Sequence, residues 1–194
     1  AQSGQPALYN GRIYSLVEQT PKRLTAYALE YRLLVAQRRA PDLASALAVR
    51  PIGVTGLLTG PDGLVLGRRA KHVAADAGLW EPAAAGSLAR PEPAEQILEE
   101  LMEELGLDRG KVQSPLPLGL VEDATSRVID IVFRIETDLS AAALHAAWRN
   151  RGSDEYAEIR IVPPAELPRF LAEHHGQLLR VLEPMLRLGG FLPD

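Results

Sequence analysis

Apolar and polar positions divide the chain into short strand-like runs and a few longer helical ones. Ile52-Gly53-Val54-Thr55-Gly56-Leu57-Leu58-Thr59 is nearly continuous in apolar and small residues, the pattern of a strand covered on both faces. Gly60-Pro61-Asp62-Gly63 then supplies turn chemistry, and Leu64-Val65-Leu66-Gly67 resumes the apolar run. Together they predict a β-hairpin with Arg68 and Arg69 leaving its second strand. Gly11–Val17, Leu116–Leu120, Val128–Ile135 and Ile159–Val162 predict further strands. Helical periodicity marks Ala94–Leu105, closed by Gly106, and then Leu139–Trp148, Ala165–Phe170 and Gly176–Leu188. Asp42 is placed to cap a short helix over Leu43–Val49. The stretch Leu24–Arg39 fits either a strand followed by a helix or one helix. Residues 73–89, rich in Ala and Gly, read as an irregular connection, residues 1–10 as a loosely held arm, and Arg151–Asp154 as a polar turn. Strands and helices mixed along the whole length predict a single α/β domain without repeats.

Composition narrows the function. The 194 residues, 46% hydrophobic, suffice for a sizeable core, and aromatics at 5% make that core mostly aliphatic. A net charge of -4, from 21 basic and 25 acidic side chains, argues against nucleic acid or an anionic membrane as partner. No apolar run reaches bilayer length. Ala1-Gln2-Ser3-Gly4-Gln5 lacks the basic and apolar regions of a secretory signal, so a cytoplasmic protein is expected. With no cysteine there is no disulfide, thiolate metal site or cysteine nucleophile. The histidines show no metal-ligand spacing, and there is no phosphate-cradling Gly-Lys-Ser/Thr loop or dinucleotide-binding glycine fingerprint. The expected partner is a small molecule, and a homo-oligomer is left open.

The most informative segment is the helix over Ala94–Leu105. At roughly 100° per residue, Ala94, Ile97, Leu98, Leu101 and Leu105 fall between about 60° and 160° from Glu100, with Glu103 near -60° and Glu104 near 40°. Glu100, Glu103 and Glu104 therefore share a face distinct from the apolar stripe. Glutamate is a good helix former, so a merely solvated face explains the composition. Yet Glu99 with Glu103 and Glu100 with Glu104 are like-charge pairs that oppose the helix by roughly 0.2–0.5 kcal/mol each. No Lys or Arg lies between Glu92 and Leu107 to relieve them. Such a cluster is what a hard divalent cation requires, since magnesium prefers carboxylate and phosphate oxygens.

Gly86-Ser87-Leu88-Ala89-Arg90-Pro91-Glu92, followed by Glu99-Glu100-Leu101-Met102-Glu103-Glu104-Leu105-Gly106-Leu107, resembles the nudix box. The likeness extends over most of residues 50–165. It implies a nudix-type α/β/α sandwich with a mixed β-sheet, residues 1–49 forming an N-terminal extension packed on that core and residues 166–194 a C-terminal helical segment. It also implies that Glu100, Glu103 and Glu104 hold Mg2+, with Mn2+ an alternative, that Glu92 plays a supporting part, and that Gly86 shapes the loop before the helix. Two departures stand out. The spacing from Glu92 to the helix motif is one residue shorter than usual, and Glu99 stands where the pattern has an arginine that holds the glutamate cluster. Features such as Leu8-Tyr9-Asn10-Gly11, Gly67-Arg68-Arg69-Ala70, Gly78-Leu79, Leu118-Gly119-Leu120 and Asp130-Ile131-Val132-Phe133 are most similar to nudix proteins of the UDP-glucose and UDP-galactose diphosphatase type. The implied reaction is metal-dependent hydrolysis of a nucleotide sugar to UMP and hexose 1-phosphate, with Glu103, Glu104 and Glu155 as catalytic residues. Glu158 competes with Glu155 for the role of base, and both also read as a solvated turn. Arg68, Arg69 and Lys71 are candidates for binding phosphate oxygens, or simply a solvated strand end. Trp80 either packs the loop or stacks on a base. Arg127 and Asp130 are further candidates to reach a ligand, which strand position alone does not decide. A nudix-fold binding module without turnover is the opposing reading, favoured by Glu99.

Overall fold

The computed structural model describes residues 10–73, 75–150 and 154–193. The hairpin legible in the sequence is its centre: β3 (Ile52–Gly60) turns through Pro61-Asp62 into β4 (Gly63–Arg69). Gly63 has φ +140, and a Cβ there would run into the Val162 carbonyl, so the tip needs glycine. The two strands pair only at Thr59↔Leu64 and Gly60↔Gly63 and then part. β3 runs parallel to β8 (Ile129–Glu136) from Ile52↔Ile129 to Thr59↔Glu136, and β8 pairs antiparallel with β7 (Leu116–Glu122). β4 takes β9 (Tyr156–Val162) as antiparallel partner.

Into the opening between β3 and β4 goes the segment Trp80–Ser87. The expectation of an irregular connection over 73–89 is corrected here, because the segment carries two short strands. β5 (Trp80–Pro82) pairs with β4, β6 (Ala85–Ser87) pairs with β3, and all seven strands form one mixed sheet. Between them, Ala83 N–H donates to Val65 O and Gly56 N–H donates to Ala84 O, closing the gap from both sides. Small residues make this insertion possible: Ala83 and Ala84 are fully buried.

Helices cover both faces. α3 (Pro93–Leu105) and α4 (Ala141–Asn150) lie on one, where Ile97, Leu101, Leu105 and Leu144 pack on Val54, Leu58, Val65 and Ile131. α5 (Leu167–Glu173) and α6 (Leu182–Leu188) lie on the other, with Leu167, Phe170, Leu182 and Met185 against Leu57, Leu64, Leu66 and Val132. Full burial of each such side chain contributes about 1.5–3 kcal/mol. The result is the expected α/β/α sandwich. The C-terminal helix is shorter than its periodicity suggests. Leu178 and Leu179 are not helical; Leu178 bridges Trp80, and Leu179 N–H donates to Trp80 O. Trp80 itself is buried against Phe170 and His174, which makes it a packing residue.

Ahead of the hairpin, Leu24–Arg39 resolves as strand then helix: β1 (Arg12–Thr20) and β2 (Arg23–Glu30) form a separate antiparallel ribbon, followed by α1 (Tyr31–Arg39) and α2 (Pro41–Leu47). The ribbon is tied to the rest through Tyr14 N–H to Leu88 O and Leu16 N–H to Arg50 O. The arm over 1–9 and most of the turn at Arg151–Asp154 lie outside the described residues. Among the described residues no helix is long and apolar enough to cross a membrane.

Candidate active site

α3 starts at Pro93 and ends at Gly106, whose φ of 68 continues into a backbone bond from Leu107 N–H to Leu101 O. This is the glycine stop expected of the sequence. The rotation of the helix differs from the expectation in one respect. Glu104 does not point away from the core but is 2% exposed. It sits at the margin of the apolar arc, only about 20° from its nearer edge, and finds polar partners there. Its Oε2 accepts from Ala85 N–H at 3.1 Å and from Tyr156 Oη at 2.9 Å. Its Oε1 is buried with no hydrogen-bond partner among the described residues.

Glu100 is half-buried beside Gly86, and a Cβ at residue 86 would collide with its carboxylate. Gln96, also buried, donates to Glu100 at 2.8 Å while its own oxygen accepts from Ala89 N–H. Glu103, by contrast, is exposed. Burial pushes Glu100 up to about 7, with the negative charges of Glu103, Glu155 and Glu99 adding to the shift. Glu104 is raised well above the ordinary carboxylate range by burial and by Glu155, Glu81 and Glu100. Carboxylates from α3, β5 and the residue before β9 are thus close enough to oppose one another's ionisation.

Sequence reasoning missed Glu81. It faces Gly67 across β4 and β5, and Arg69, two residues further along β4, shares that face. Arg69 donates to Glu81 at 2.6 Å and to Glu155 at 3.3 Å, and its Nε donates to Ala75 O. Burial pushes Glu81 up to about 7 even beside Arg69. Arg69, a candidate for binding phosphate oxygens, is thus engaged with two carboxylates of the protein itself. The alternation of β4 sends Arg68 to the opposite face, where its Nε reaches Gly78 O at 3.4 Å. Lys71 is exposed in the following turn. So the structure does not gather Arg68, Arg69 and Lys71 into one cluster. Glu158 lies opposite Arg68 on β9 and accepts from Arg160, whereas Glu155 stands with Arg69.

Glu99, the departure in the box, is paired with Arg90 of the preceding loop. The glutamate at the position of the expected arginine thus has a cationic partner nine residues earlier in the chain. Glu92 is exposed at the helix start, where its carbonyl accepts from Glu95 and Gln96 N–H.

A cavity of about 550 Å³ opens at this end of the sheet. Its walls include Arg69, Glu81, Glu155 and the adjoining Ala85-Gly86-Ser87, together with Gly53, Thr55 and Asp130. Glu100 and Glu104 lie behind the Ala85-Gly86 strand rather than in the wall itself.

Solved structures share this architecture. A Deinococcus radiodurans protein superposes with a TM-score of 0.60 at 16% identity, over 91% of this chain and 98% of that one. A MutT protein from Methanosarcina mazei gives 0.53 at 19% identity, over 73% and 91%. The NUDIX domain of Shewanella oneidensis NrtR, solved with ADP ribose, gives 0.52 at 14% identity, over 75% and 90%. The fold is the nudix fold. No family model and no curated protein matches the sequence.

On this nudix fold, the question is whether the residues fit a divalent cation. Among the described residues no three carboxylate or imidazole side chains form a ready-made cage. The donor chemistry nevertheless suits a hard ion: the groups are all carboxylate oxygens, Glu100 and Glu104 are raised by burial and by neighbouring carboxylates, and Glu104 Oε1 has no hydrogen-bond partner among the described residues. A cation at this point would relieve both the repulsion and the unpaired oxygen.

Proposed function

We propose that this protein is a divalent-metal-dependent hydrolase that splits the diphosphate of a nucleoside diphosphate derivative, UDP-glucose or UDP-galactose being the substrates its sequence resemblance favours. The observation that carries the reading is the convergence of Glu81, Glu100, Glu104 and Glu155 around the Gly86 strand at the edge of a 550 Å³ cavity. A cavity of that size accommodates a nucleotide sugar. Glu100, Glu103 and Glu104 would hold Mg2+ or Mn2+, which would supply charge neutralisation at the diphosphate and polarisation of a water. Gly86 leaves room for Glu100, and Tyr156 and the Ala85 N–H orient Glu104. Glu155, steadied by Arg69, takes the proton of a water whose oxygen attacks phosphorus. The bridging P–O bond breaks, giving UMP and hexose 1-phosphate.

The test is hydrolysis of UDP-glucose, UDP-galactose, ADP-ribose and nucleoside triphosphates with Mg2+ or Mn2+, with products separated by chromatography. Loss of turnover on chelation and in both Glu103→Gln and Glu104→Gln is expected. Activity confined to ADP-ribose or triphosphates removes the UDP-sugar substrate and leaves the hydrolase. A binding module is the second reading, favoured by Arg69 standing as a built-in cation between Glu81 and Glu155. Ligand binding without turnover under all metals would establish it.

A further inference from the structure

In the lining of the same cavity, a second carboxylate is fitted over a second glycine. Asp130 on β8 lies beside Gly53 on β3, and a Cβ at residue 53 would run into Asp130 Oδ1. That same position is 3.4 Å from the carbonyl oxygen of Gly86. Asp130 is thus one strand removed from the point where Glu100 overlies the Gly86 backbone. Thr55 Oγ1 donates to Asp130 Oδ1 at 3.2 Å. Neither a hydrogen bond nor a salt bridge joins Asp130 to a cation among the described residues. Asp123 is a charged neighbour that opposes its ionisation, and the Asp123 carboxylate is engaged by Arg180, Ser126 and the Thr125 N–H. Burial pushes Asp130 up to about 6.

A half-buried carboxylate whose one donor among the described residues is a hydroxyl, here Thr55, keeps acceptor capacity for another. Glu100 and Glu104 have a reason for that condition in the proposed cation; Asp130, across β3, lies apart from them. What it faces is the cavity. We propose that Asp130 accepts a hydrogen bond from a sugar hydroxyl of the ligand and so sets specificity for the sugar next to the diphosphate. The inference rests on the hydrolase reading. Given a diphosphate at the Gly86 end, the group attached to it is a sugar on either side. Gly86 on β6 and Asp130 on β8 are separated by β3 alone, and both come up to Gly53. Hydroxyls are the donors such a sugar offers, and a carboxylate accepts them with the strength of a charged bond. Asp130 is a specificity residue, and the bond-breaking chemistry stays with the glutamates.

The experiment compares wild type, Asp130→Ala and the isosteric Asp130→Asn on whichever of UDP-glucose, UDP-galactose and ADP-ribose wild type turns over fastest, and on analogues of it lacking single sugar hydroxyls. Thermal denaturation checks that each variant is folded. Wild type is expected to lose roughly 10- to 100-fold in kcat/KM on one deoxy analogue. Asp130→Ala should treat that analogue and its parent alike, while retaining the wild-type response to the other analogues. A structural role would lower all substrates by one factor, and that result, or unchanged discrimination in both variants, overturns the inference while leaving the hydrolase intact. A wild type that hydrolyses none of the substrates overturns the hydrolase reading and this inference with it.

Discussion

The carboxylate of Glu100 occupies the space that a side chain at residue 86 would need. This contact gives the glycine a physical reason: it is the room required by a helix glutamate fourteen residues later. Gly86→Ala should therefore displace Glu100 while leaving the sheet paired. Misplacement of a site group by about 1 Å costs on the order of 10²-fold in rate. A loss of that size is expected in kcat, with the folded circular dichroism spectrum retained. Turnover equal to wild type would show that Glu100 is free to sit elsewhere.

Arg69 neutralises Glu81 and Glu155 from a position only 15% exposed. Breaking a buried pair by removing one partner costs about 3–5 kcal/mol. Arg69→Gln should lower the denaturant midpoint accordingly, in the absence of any ligand. A residue used only to grip phosphate would leave the midpoint unchanged and raise KM alone.

Glu100 is pushed up to about 7 and Glu104 is raised further than the ordinary range. For an acid whose folded pKa is raised, the folded state binds more protons than the unfolded chain between the two values. Stability from Glu100 is full below the ordinary glutamate value of about 4.5 and is lost as pH rises through about 7, and Glu104 acts in the same direction. Metal-free protein should unfold at lower temperature at pH 8 than at pH 5.5. Added Mg2+ should restore more at pH 8, because it favours the ionised carboxylates. Asp123 works in the other direction. Arg180 beside it holds it down to about 2, so its contribution disappears only as pH falls through that value. Melting temperatures measured across pH with and without chelator check both signs.

Arg90 and Glu99 form a pair in which both side chains are partly exposed, 39% and 43%. Its stability contribution is small, about 0.2–1 kcal/mol. Its effect is expected on the position of α3 instead. Glu99→Arg alone sets two cations against each other and should reduce turnover. The exchanged double variant, Arg90→Glu with Glu99→Arg, should recover most of it. A double-mutant cycle in kcat/KM with no coupling would remove the pair from the site's support.

How much of this was legible in the sequence differs by residue. The β3–β4 hairpin, α3 and the stop at Gly106 could be read because they depend on local periodicity and turn chemistry. Glu104 could not be placed from the helical wheel, since its burial depends on Ala85 and Tyr156, which come from β6 and β9. Glu81 and Arg69 form a pair only through the β4–β5 register, and three residues of Trp-Glu-Pro are too short to announce a strand. The alternation that separates Arg68 from Arg69 was in principle readable, once the hairpin strand was extended through both. The periodicity over Gly176–Leu188 misled because Leu178 and Leu179 serve β5 and the core rather than a helix face.

The segment Trp80–Ser87 holds one strand with its first residues and another with its last, and Glu81 and Gly86 stand at its two ends. Their separation is fixed by backbone hydrogen bonds to β4 and β3 and by buried Ala83 and Ala84, not by any ligand. The crowding of like charges is therefore established when the sheet forms. An arriving counter-charge meets groups already aimed, so reorganisation energy is small and the attraction it gains is not diminished by moving the backbone. The instability concentrated among these carboxylates is borne by the folding of the whole domain, and it is released locally.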